Sequence, residues 1–406
     1  MAAAPTRLNI LIATAHRQIV GGIEQYLRSI MPELLQRGHR LGLLYERAGL
    51  SGAPTIDTAV TGLERWEAGE HGTSIERLAG WSPDVVYSQG LDNPALEAAL
   101  VGRFPTVLFA HGYFGTCATG TKRHAFPRLA MCGRTLGAAC LPLNYARRCG
   151  GLSPVSLARA YRRESARRAL LGSYRAVIAA SRHMTDEMAR HGVRPDRLHH
   201  LALPCVPLVP DIDQPVGRPM SGMVLMLGRL TTLKGGDVLI DAIPAAEKAL
   251  GRRLALTVAG TGPELPNWRA RASANGVAAR FPGWVDEAGR LDLLRAADLL
   301  VVPSLWPEPF GLVGIEAGCV GLPAAAFRAG GIPEWLSPGE SGELAPADPP
   351  TAVGLAEAIV RALRDPAHHT RLRIGAWKVA KRFGMAPHLD GLEAVLRSAC
   401  RAAPVA

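Results

Sequence analysis

The stretch from residue 299 to residue 327 reads LLVVPSLWPEPFGLVGIEAGCVGLPAAAF. Leu299–Pro303 and Pro323–Phe327 are apolar runs of strand length, and Val313–Val320 between them has the length of a short helix. A helix between two strands carries the chain back to the edge where the first strand began, so the two strands pair in parallel. Strands covered by helices on both faces are apolar throughout. The stretch therefore predicts an α/β fold with a parallel sheet.

The same alternation of strands and helices occupies both halves of the chain. Before residue 205 the sequence predicts strands at Leu8–Ala13, His39–Tyr45, Val85–Ser88, Thr106–Ala110, Ala176–Ala180 and Leu198–Leu203. After a Pro-rich stretch, Pro204–Pro219, it predicts strands at Met223–Leu227 and Leu254–Ala259 and helices at Asp237–Leu250 and Ala288–Ala297. We therefore predict two Rossmann-like, doubly wound parallel-sheet domains, 1–205 and 206–385, that face a cleft.

Composition narrows the class of protein. The chain has 406 residues, of which 48% are hydrophobic and 20% are charged, a balance typical of a globular protein. No apolar run approaches the roughly 18 residues of a membrane-spanning helix, and residues 1–16 lack the basic start and cleavage site of a signal peptide. Seven cysteines in such a chain are not a disulfide framework. These observations predict a cytoplasmic protein.

The positive charge of the chain is concentrated in one segment. The formal net charge is +11, and residues 121–175 contain twelve basic residues against one acidic residue. A helix over Leu157–Leu171 would place four arginines within one arc of about 140°, namely Arg159, Arg162, Arg163 and Arg167. This face suits an anionic membrane surface or a phosphate-bearing lipid, and a solvated helix face is the alternative. Nucleic acid is disfavoured, because the segment lacks a zinc-finger spacing and interleaved stacking aromatics.

The loop between the first strand and the helix of residues 299–327 carries two carboxylates eight residues apart, Glu308 and Glu316. Prolines on both sides restrict Glu308, and Glu316 lies just over one turn into the helix. Carboxylates in these positions can accept hydrogen bonds from sugar hydroxyls at two points of an extended ligand. Gly311 lets the backbone approach closely, and the helix that begins near Leu312 offers free amides to a phosphate.

A second loop, Gly228–Gly236, follows a predicted strand and reads GRLTTLKGG. Arg229 and Lys234 on this loop can both contact one diphosphate, the guanidinium as a fork and the ammonium as a point charge. A surface loop with incidental basic residues is the alternative interpretation. The loop is not a P-loop, because it lacks the residue order of that motif.

Three shorter signals follow other predicted strands. Gly21 and Gly22 precede the first helix, where they allow close approach to a phosphate or sugar, or form a simple tight turn. Gly260–Glu264 contains Gly262 but lacks the third glycine of the dinucleotide fingerprint, so an NAD oxidoreductase is disfavoured. His111 follows a strand, where it contacts a substrate in the cleft or has only a structural role.

Taken in this order, the motifs resemble those of the retaining glycosyltransferases of family 4, which have the GT-B fold of two Rossmann-like domains. The resemblance implies that Arg229 and Lys234 bind the diphosphate of a nucleotide-sugar and that Glu308 binds the donor sugar. It also implies that Glu316 binds the ribose hydroxyls and that His111 lies beside the transferred sugar. The other residues expected to contact the nucleotide-sugar are Gly21, Gly22, Gly262, Trp284, Val285, Gly311, Leu312 and Val313.

The resemblance also implies a function. It is the retaining transfer of a sugar from a UDP- or GDP-sugar to a lipid-linked, polysaccharide or other glycan acceptor, with no required cofactor or metal. A final helix within 386–406 is expected to pack back onto the first domain. The alternatives are a non-catalytic scaffold that binds nucleotide-sugars, or a GT-B epimerase or phosphorylase, the last of which needs a pyridoxal-bound lysine.

The connection Tyr113–Tyr174, called the insertion below, is too long for an ordinary strand-to-helix loop, and we expect it to bind the acceptor and to dock on a membrane. Four of its cysteines have spacings that do not fit a standard zinc pattern, so reduced thiols are expected and a zinc or iron–sulfur site is the alternative. They are Cys117, Cys132, Cys140 and Cys149. Asp211 and Asp213 match the metal-binding DxD of other glycosyltransferases, but their Pro-rich surroundings predict a solvated linker.

Overall fold

The computed structural model describes residues 7–50, 52–68, 75–205 and 214–401. Asp211 and Asp213, with part of the Pro-rich stretch, lie outside the described residues. In the first part of the chain the elements are β1 (Asn9–His16), α1 (Gly22–Gln36), β2 (Arg40–Arg47), β3 (Glu64–Glu67), α2 (Ile75–Trp81), β4 (Val85–Ser88), α3 (Pro94–Arg103), β5 (Thr106–Ala110), β6 (Arg123–His124), β7 (Ala130–Met131), α4 (Cys140–Arg147), α5 (Pro154–Leu170), β8 (Ala176–Ala179), α6 (Arg182–Arg190) and β9 (Leu198–His200).

The second part of the chain repeats the alternation. Its elements are β10 (Met223–Leu227), α7 (Gly236–Leu250), β11 (Ala255–Ala259), α8 (Leu265–Ala274), β12 (Ala279–Gly283), α9 (Glu287–Ala296), β13 (Leu299–Val302), α10 (Leu312–Cys319), β14 (Ala324–Phe327), β15 (Gly342–Ala345), α11 (Ala352–Leu363), α12 (Pro366–Lys381) and α13 (Met385–Arg401). Among the described residues, no helix has both the length and the apolar character needed to span a bilayer.

These strands form two parallel sheets, one in each part of the chain. The strand order is β3-β2-β1-β4-β5-β8-β9 in the first sheet and β12-β11-β10-β13-β14-β15 in the second. Each order starts at a central strand and grows first to one side and then to the other, which is the doubly wound arrangement. The predicted fold of two Rossmann-like, parallel-sheet domains is therefore confirmed.

The strands that the sequence did not predict lie at or next to the edges of these sheets. β3 buries only Trp66 among its four residues, and β12 contains Pro282 and alternates between half-buried and exposed positions. An edge strand needs no continuous apolar run because fewer neighbours cover it. The apolar pattern therefore misses β3 and β12. It also misses the short β15, which is buried throughout but begins with Gly342 and Glu343.

Helix α13 crosses from the second part of the chain to the first sheet. His388 Nε2 lies 2.9 Å from Tyr26 OH, and Arg37 pairs with Asp390 at 2.6 Å. Leu392, on the inner face of α13, is fully buried. The last described helix is therefore anchored on α1 and on the strands of the first domain.

The insertion has its own secondary structure, the antiparallel hairpin β6–β7 and the helices α4 and α5. The predicted four-arginine face of α5 is wrong at Arg167, which is 7% exposed. Its guanidinium donates to Glu164 Oε1 at 2.7 Å and to the Leu91 carbonyl oxygen at 2.6 Å. Helical spacing in the sequence gives the direction of each arginine, but it does not show which of them is buried against the rest of the domain and pairs with an acidic residue. The exposed face retains Arg159, Arg162 and Arg163.

The loops after β10 and β11 touch through glycines, and this contact predicts a difference in stability. An added Cβ at Gly260 (φ +135°) would overlap the carbonyl oxygen of Gly228, whereas one at Gly251 (φ +66°) would meet no atom within 4 Å. Alanine strains the backbone at both sites by about 1–2 kcal/mol. Gly260→Ala adds a steric clash, so it should lower the free energy of unfolding by about 2 kcal/mol more than Gly251→Ala. Urea unfolding measures both losses, and equal losses would contradict this contact.

Candidate active site

Glu308 lies in the loop between β13 and α10, where its side chain is largely buried. Its Oε1 lies 2.6 Å from Lys234 Nζ and accepts hydrogen bonds from Ser304 Oγ at 2.5 Å and Trp306 Nε1 at 3.0 Å. Its Oε2 accepts no hydrogen bond from any residue that the structure describes. One carboxylate oxygen is therefore fixed by three donors, and the other remains available.

The neighbours of Glu308 set its charge. Burial by itself raises the pKa of Glu308, but the attraction of Lys234 and the hydrogen bonds from Lys234, Ser304 and Trp306 hold the pKa below its ordinary value. The Glu308 carboxylate is therefore ionised at neutral pH. Lys234 Nζ also lies 5.9 Å from the centre of the Trp306 ring, within the range of a cation–π contact.

The order of the second sheet explains why Lys234 and Glu308 meet. β10 and β13 are neighbours at the position where the strand order reverses, and Lys234 follows the first of them while Glu308 follows the second. The carboxyl ends of parallel strands lie at one edge, and ligands bind in the crevice at such a reversal. Gly235, at φ +66°, packs so close to Pro303 that a Cβ would overlap the proline carbonyl oxygen. The missing side chain lets the two loops touch.

Groups of the first domain contact the loop that carries Glu308. Tyr113 OH donates a hydrogen bond to the carbonyl oxygen of Pro307 at 2.7 Å, and Ser181 Oγ donates to that of Pro309 at 2.6 Å. The two prolines restrict the backbone on either side of Glu308. The loop is therefore fixed by its own sequence and by both domains.

Arg229 lies on the same loop as Lys234 but does not join the cluster. It is exposed, and its guanidinium has no hydrogen-bond or ion-pair partner within the described part of the chain. The structure thus brings Lys234 and Glu308 together and leaves Arg229 as a free cation on the loop after β10.

Helix α10 begins beside the first domain. Its N-cap, Gly311, has φ +89° and lies against Trp335. The amides of Leu312 and Val313, in the first turn, have no partner within the helix and can bind an anion. A Cβ at Gly22 would lie 3.9 Å from Leu312 Cδ1, so these two predicted residues face each other across the cleft.

Glu316 lies in a cavity of about 220 Å³ between α1 and the helices α9 and α10. Both of its oxygens lie 3.2 Å from Arg290 Nη1. Burial raises the pKa of Glu316, and Arg290 offsets only part of this effect. Across the cleft Arg28 pairs with Glu287 at 3.3 Å, so groups of both domains line the cavity.

His111 follows β5 but is engaged by its own domain. Its Nε2 lies 2.7 Å from Gln89 Oε1, and its ring stacks on Phe109 at 4.3 Å. Burial, with a smaller contribution from His388, lowers the pKa of His111 to about 3. The imidazole is therefore neutral at physiological pH and can take part in hydrogen bonding without carrying charge.

Four other predicted contacts are not joined to Glu308. A Cβ at Gly262 would overlap the carbonyl oxygen of Leu230, so this glycine serves the packing of two loops. Trp284 is 73% exposed, and Val285 lines a separate cavity beside β10, β11 and β12. Gly21 has extended backbone, with φ −169°, at the start of α1. The roles assigned to these residues stay predictions.

Four residues of the site are not predicted from the sequence: Ser304, Trp306, Tyr113 and Arg290. Ser304 and Trp306 lie inside the stretch 299–327, shortly before the proline-flanked Glu308. Their hydroxyl and indole N–H are hydrogen-bond donors, so their proximity to a carboxylate could have indicated that they bind it. Tyr113 and Arg290 gave no local signal, because each reaches its partner only through the tertiary fold.

The four cysteines of the insertion carry free, half-buried thiols. Cys149 Sγ lies 3.5 Å from His124 Nδ1, and burial raises the pKa of Cys149 to about 11. Among the described residues, no group of three or more His, Cys, Asp or Glu side chains is arranged to hold a metal ion. The zinc or iron–sulfur alternative therefore has no support in the structure. Of the remaining cysteines, Cys205 and Cys319 are bonded to each other.

Two family models match the chain in succession. One, described as Glycosyltransferase Family 4, matches residues 20–202, and the other, Glycosyl transferases group 1, matches residues 211–379. The chain belongs to the glycosyltransferases of family 4. The two matches fall on the two sheet-bearing parts of this glycosyltransferase, one on each.

Curated proteins and solved structures are similar to this chain. It is 34% identical over 241 residues to D-inositol 3-phosphate glycosyltransferase 1 of Catenulispora acidiphila, a match that covers 55% of this chain and 57% of that protein. It is also 34% identical over 174 residues to the phosphatidyl-myo-inositol mannosyltransferase of Mycobacterium leprae, over 42% and 45% of the two chains. The chain thus spans about half the length of the curated relatives it matches. The structure of HepE from Anabaena, in complex with UDP and glucose, superposes with a TM-score of 0.67 at 19% identity and covers 96% of this chain and 100% of HepE, which shows the GT-B fold.

Removal of Lys234 tests the electrostatics of the site. In Lys234→Met the buried Glu308 carboxylate loses its counter-charge, so its pKa should rise above the ordinary value. The free energy of unfolding should fall by about 2–4 kcal/mol at neutral pH. This loss should shrink as the pH falls through the raised pKa, because the protonated carboxyl needs no counter-charge.

Thermal unfolding of the wild type and the variant between about pH 8 and about pH 5 measures this change. In the wild type the pKa of Glu308 lies below its ordinary value, so the stabilisation from its charge should stay constant over this range and be lost only at lower pH, as the pH falls through the folded pKa. The control is Lys234→Met combined with Glu308→Gln, which should show no such pH dependence. A loss in Lys234→Met that is the same at every pH would contradict an ionised pair.

Proposed function

We propose that this glycosyltransferase transfers a sugar from a nucleotide-diphosphate donor, with Glu308 binding the donor sugar. The observation that carries the proposal is a buried, ionised carboxylate that is held through Oε1 alone. Its Oε2 can accept hydrogen bonds from sugar hydroxyls, and an ionised acceptor binds a hydroxyl about twice as strongly as a neutral one. The surrounding low dielectric strengthens these bonds further.

The charge around Glu308 supports a diphosphate as the leaving group. Arg229 is a free guanidinium on the loop after β10, Lys234 lies beside the sugar site, and the amides of Leu312 and Val313 begin α10. Fixed positive groups at the place where negative charge develops lower the barrier to departure of a diphosphate. Because Lys234 already neutralises Glu308, Arg229 and the helix amides are the groups left for the phosphates.

The cavity at Glu316 supports binding of the nucleoside. A carboxylate beside a guanidinium can accept from two vicinal hydroxyls, and Gln25 and Ser29 line the same cavity from the first domain. We assign the ribose to this cavity, and we keep Gly21, Gly22 and Gly262 as loop contacts and Trp284 and Val285 as candidates for the base. His111, as a neutral ring, would bind a hydroxyl of the sugar.

Retention follows from transfer on one face of the sugar. The bond between the anomeric carbon and the diphosphate oxygen breaks, the acceptor hydroxyl bonds to the same face, and the leaving phosphate oxygen takes the acceptor proton. Because the leaving phosphate itself takes the acceptor proton on that face, we assign no protein nucleophile and give Glu308 a binding role. The mechanism requires no metal ion.

We further propose that the insertion provides the acceptor side and docks on the cytoplasmic face of a membrane. Arg159, Arg162 and Arg163 form an exposed basic face of α5, and each arginine near an anionic surface contributes about 1 kcal/mol. The names of the curated relatives speak of inositol 3-phosphate and of phosphatidyl-myo-inositol, so a phosphorylated or lipid-linked acceptor is the class we propose.

Substitution of the donor-binding groups tests the transfer function. Glu308→Gln and Arg229→Gln should each lower the rate of nucleotide-sugar hydrolysis or transfer by about 10²-fold or more, because each removes charge from the site. The melting temperature of Arg229→Gln should stay unchanged, since that side chain has no partner in residues 7–50, 52–68, 75–205 and 214–401. The matched control is Arg269→Gln, an exposed arginine of α8, which should keep full turnover.

The assay follows release of the nucleoside diphosphate from UDP- and GDP-sugars, after a thermal-shift screen has identified the donor. Near-normal turnover in both Glu308→Gln and Arg229→Gln would refute the site. Binding of the donor by the wild type without any turnover would favour the non-catalytic scaffold.

Loss of two exposed arginines tests the membrane proposal. The variant Arg162→Gln/Arg163→Gln should co-sediment less with vesicles that contain phosphatidylglycerol, because about 2 kcal/mol of attraction is removed. Binding of the wild type should rise with the anionic lipid content and fall with added salt. Wild-type binding that does not depend on phosphatidylglycerol would count against docking through this face.

A further inference from the structure

The insertion contains a cavity of about 340 Å³, which is separate from the cavity at Glu316. The hairpin β6–β7 and helix α4 form its walls. The residues that matter for its chemistry are His124, Phe126, Arg128, Arg134, Leu143 and Arg147. The donor site described above uses none of them, and a volume of this size lies within the range of small-molecule sites.

The polar part of this cavity is entirely basic. Arg134 and Arg147 are exposed, and neither guanidinium has a hydrogen-bond or ion-pair partner in the described residues. Arg128 has one distant pair, 3.6 Å from Asp348, and no carboxylate of the described part of the chain lines the cavity. His124 lies near Arg147 and Arg134. Burial and the charges of these two arginines lower the pKa of His124. The cavity therefore has uncompensated positive charge and suits an anion.

The rest of the lining is apolar. Phe126 is 50% exposed, and Pro127, Ala130 and Leu143 complete this part of the wall. Among the described residues no hydroxyl, amide or carboxyl side chain lines the cavity, so a neutral glycan would find only the His124 ring as a side-chain acceptor for its hydroxyl protons. An inorganic phosphate would use the arginines and leave the apolar wall in water. The combination fits a phosphate that carries a hydrocarbon chain.

The hairpin also lies close to the donor loops of the second domain. Arg123, which precedes His124, is half-buried, and the charge of Asp237 acts on it, raising its pKa against the larger effect of burial. Asp237 is in the first turn of α7, three residues after Lys234. The pair Arg128 and Asp348 makes a second link between the insertion and the second domain. A ligand in the cavity would therefore lie beside the cleft.

We propose that the cavity of the insertion binds the phosphate-bearing head of a lipid acceptor, with Arg134 and Arg147 on the phosphate and the hydrocarbon chain against Phe126 and Leu143. The arginines fix the head near the donor, and the chain continues toward the membrane. The assignment of this ligand as the acceptor rests on the proposed transfer function, whereas its binding does not.

Titration of the full chain with farnesyl phosphate below its micelle concentration tests the proposal, with farnesol and inorganic phosphate as matched ligands. Farnesyl phosphate should bind about tenfold or more tightly than either, since it alone satisfies both the charge and the apolar wall. Arg134→Gln/Arg147→Gln should weaken its binding by about tenfold or more. Arg295→Gln/Arg364→Gln, which removes the same charge from the second domain, should not.

A second variant separates the cavity from the positive field around it. Ala130→Trp fills the cavity and leaves every charge in place, so its affinity for farnesyl phosphate should also fall by about tenfold or more. Equal affinity of the wild type for farnesyl phosphate and inorganic phosphate would overturn the proposal. Full binding of farnesyl phosphate by Ala130→Trp, or an equal loss in the control pair, would overturn it as well.

Donor hydrolysis measured on the same samples keeps this test apart from the transfer function. Arg134→Gln/Arg147→Gln should hydrolyse the nucleotide-sugar at the wild-type rate, because no donor contact is changed. An inactive wild type that still binds farnesyl phosphate would remove the proposed function and leave the lipid site in place. An active wild type that does not bind farnesyl phosphate would overturn the lipid site and leave the proposed transfer function in place.

Discussion

A carboxylate that is removed from water must keep a positive group and hydrogen-bond donors close to it, or it becomes protonated. Glu308 meets this requirement through Lys234, Ser304 and Trp306, all of which contact the same oxygen. The site depends on this arrangement, because it keeps the charge while leaving the second oxygen free. The lysine comes from one strand–helix loop and the carboxylate from another, so the pair can form only if the sheet brings the two loops together.

The parallel sheet provides that proximity. β10 and β13 are neighbours in space although α7, β11, α8, β12 and α9 separate them in sequence, and their carboxyl ends lie at one edge. The first domain then fixes the loop of Glu308 through Tyr113 and Ser181, which accounts for its position at the domain junction. The insertion adds to the same junction a basic and apolar cavity, so the groups proposed to bind the donor and those proposed to bind a lipid phosphate lie on neighbouring surfaces.

The sequence predicts the parts of this structure that local pattern determines. Apolar runs identified β4, β5 and β10 with their bounds, and the proline-flanked Glu308 and the Gly-rich loop at Lys234 stood out by themselves. Pattern did not show that Arg167 turns inward to Glu164, because only the packed fold shows which face of α5 is covered. It also gave no sign that Tyr113 and Arg290 belong to the site, since both meet their partners across the domain junction or from another helix.

In the proposed function, one crevice binds the activated sugar through Glu308 and its diphosphate through Arg229 and the start of α10. A crystal structure of the glycosyltransferase with an intact nucleotide-sugar, chosen by thermal stabilisation, tests it most directly. We predict hydroxyls of the sugar within hydrogen-bond distance of Glu308 Oε2, with the diphosphate against the Arg229 guanidinium and the amides of Leu312 and Val313. A donor bound with its sugar away from Glu308, or with its diphosphate on another surface, would contradict the account.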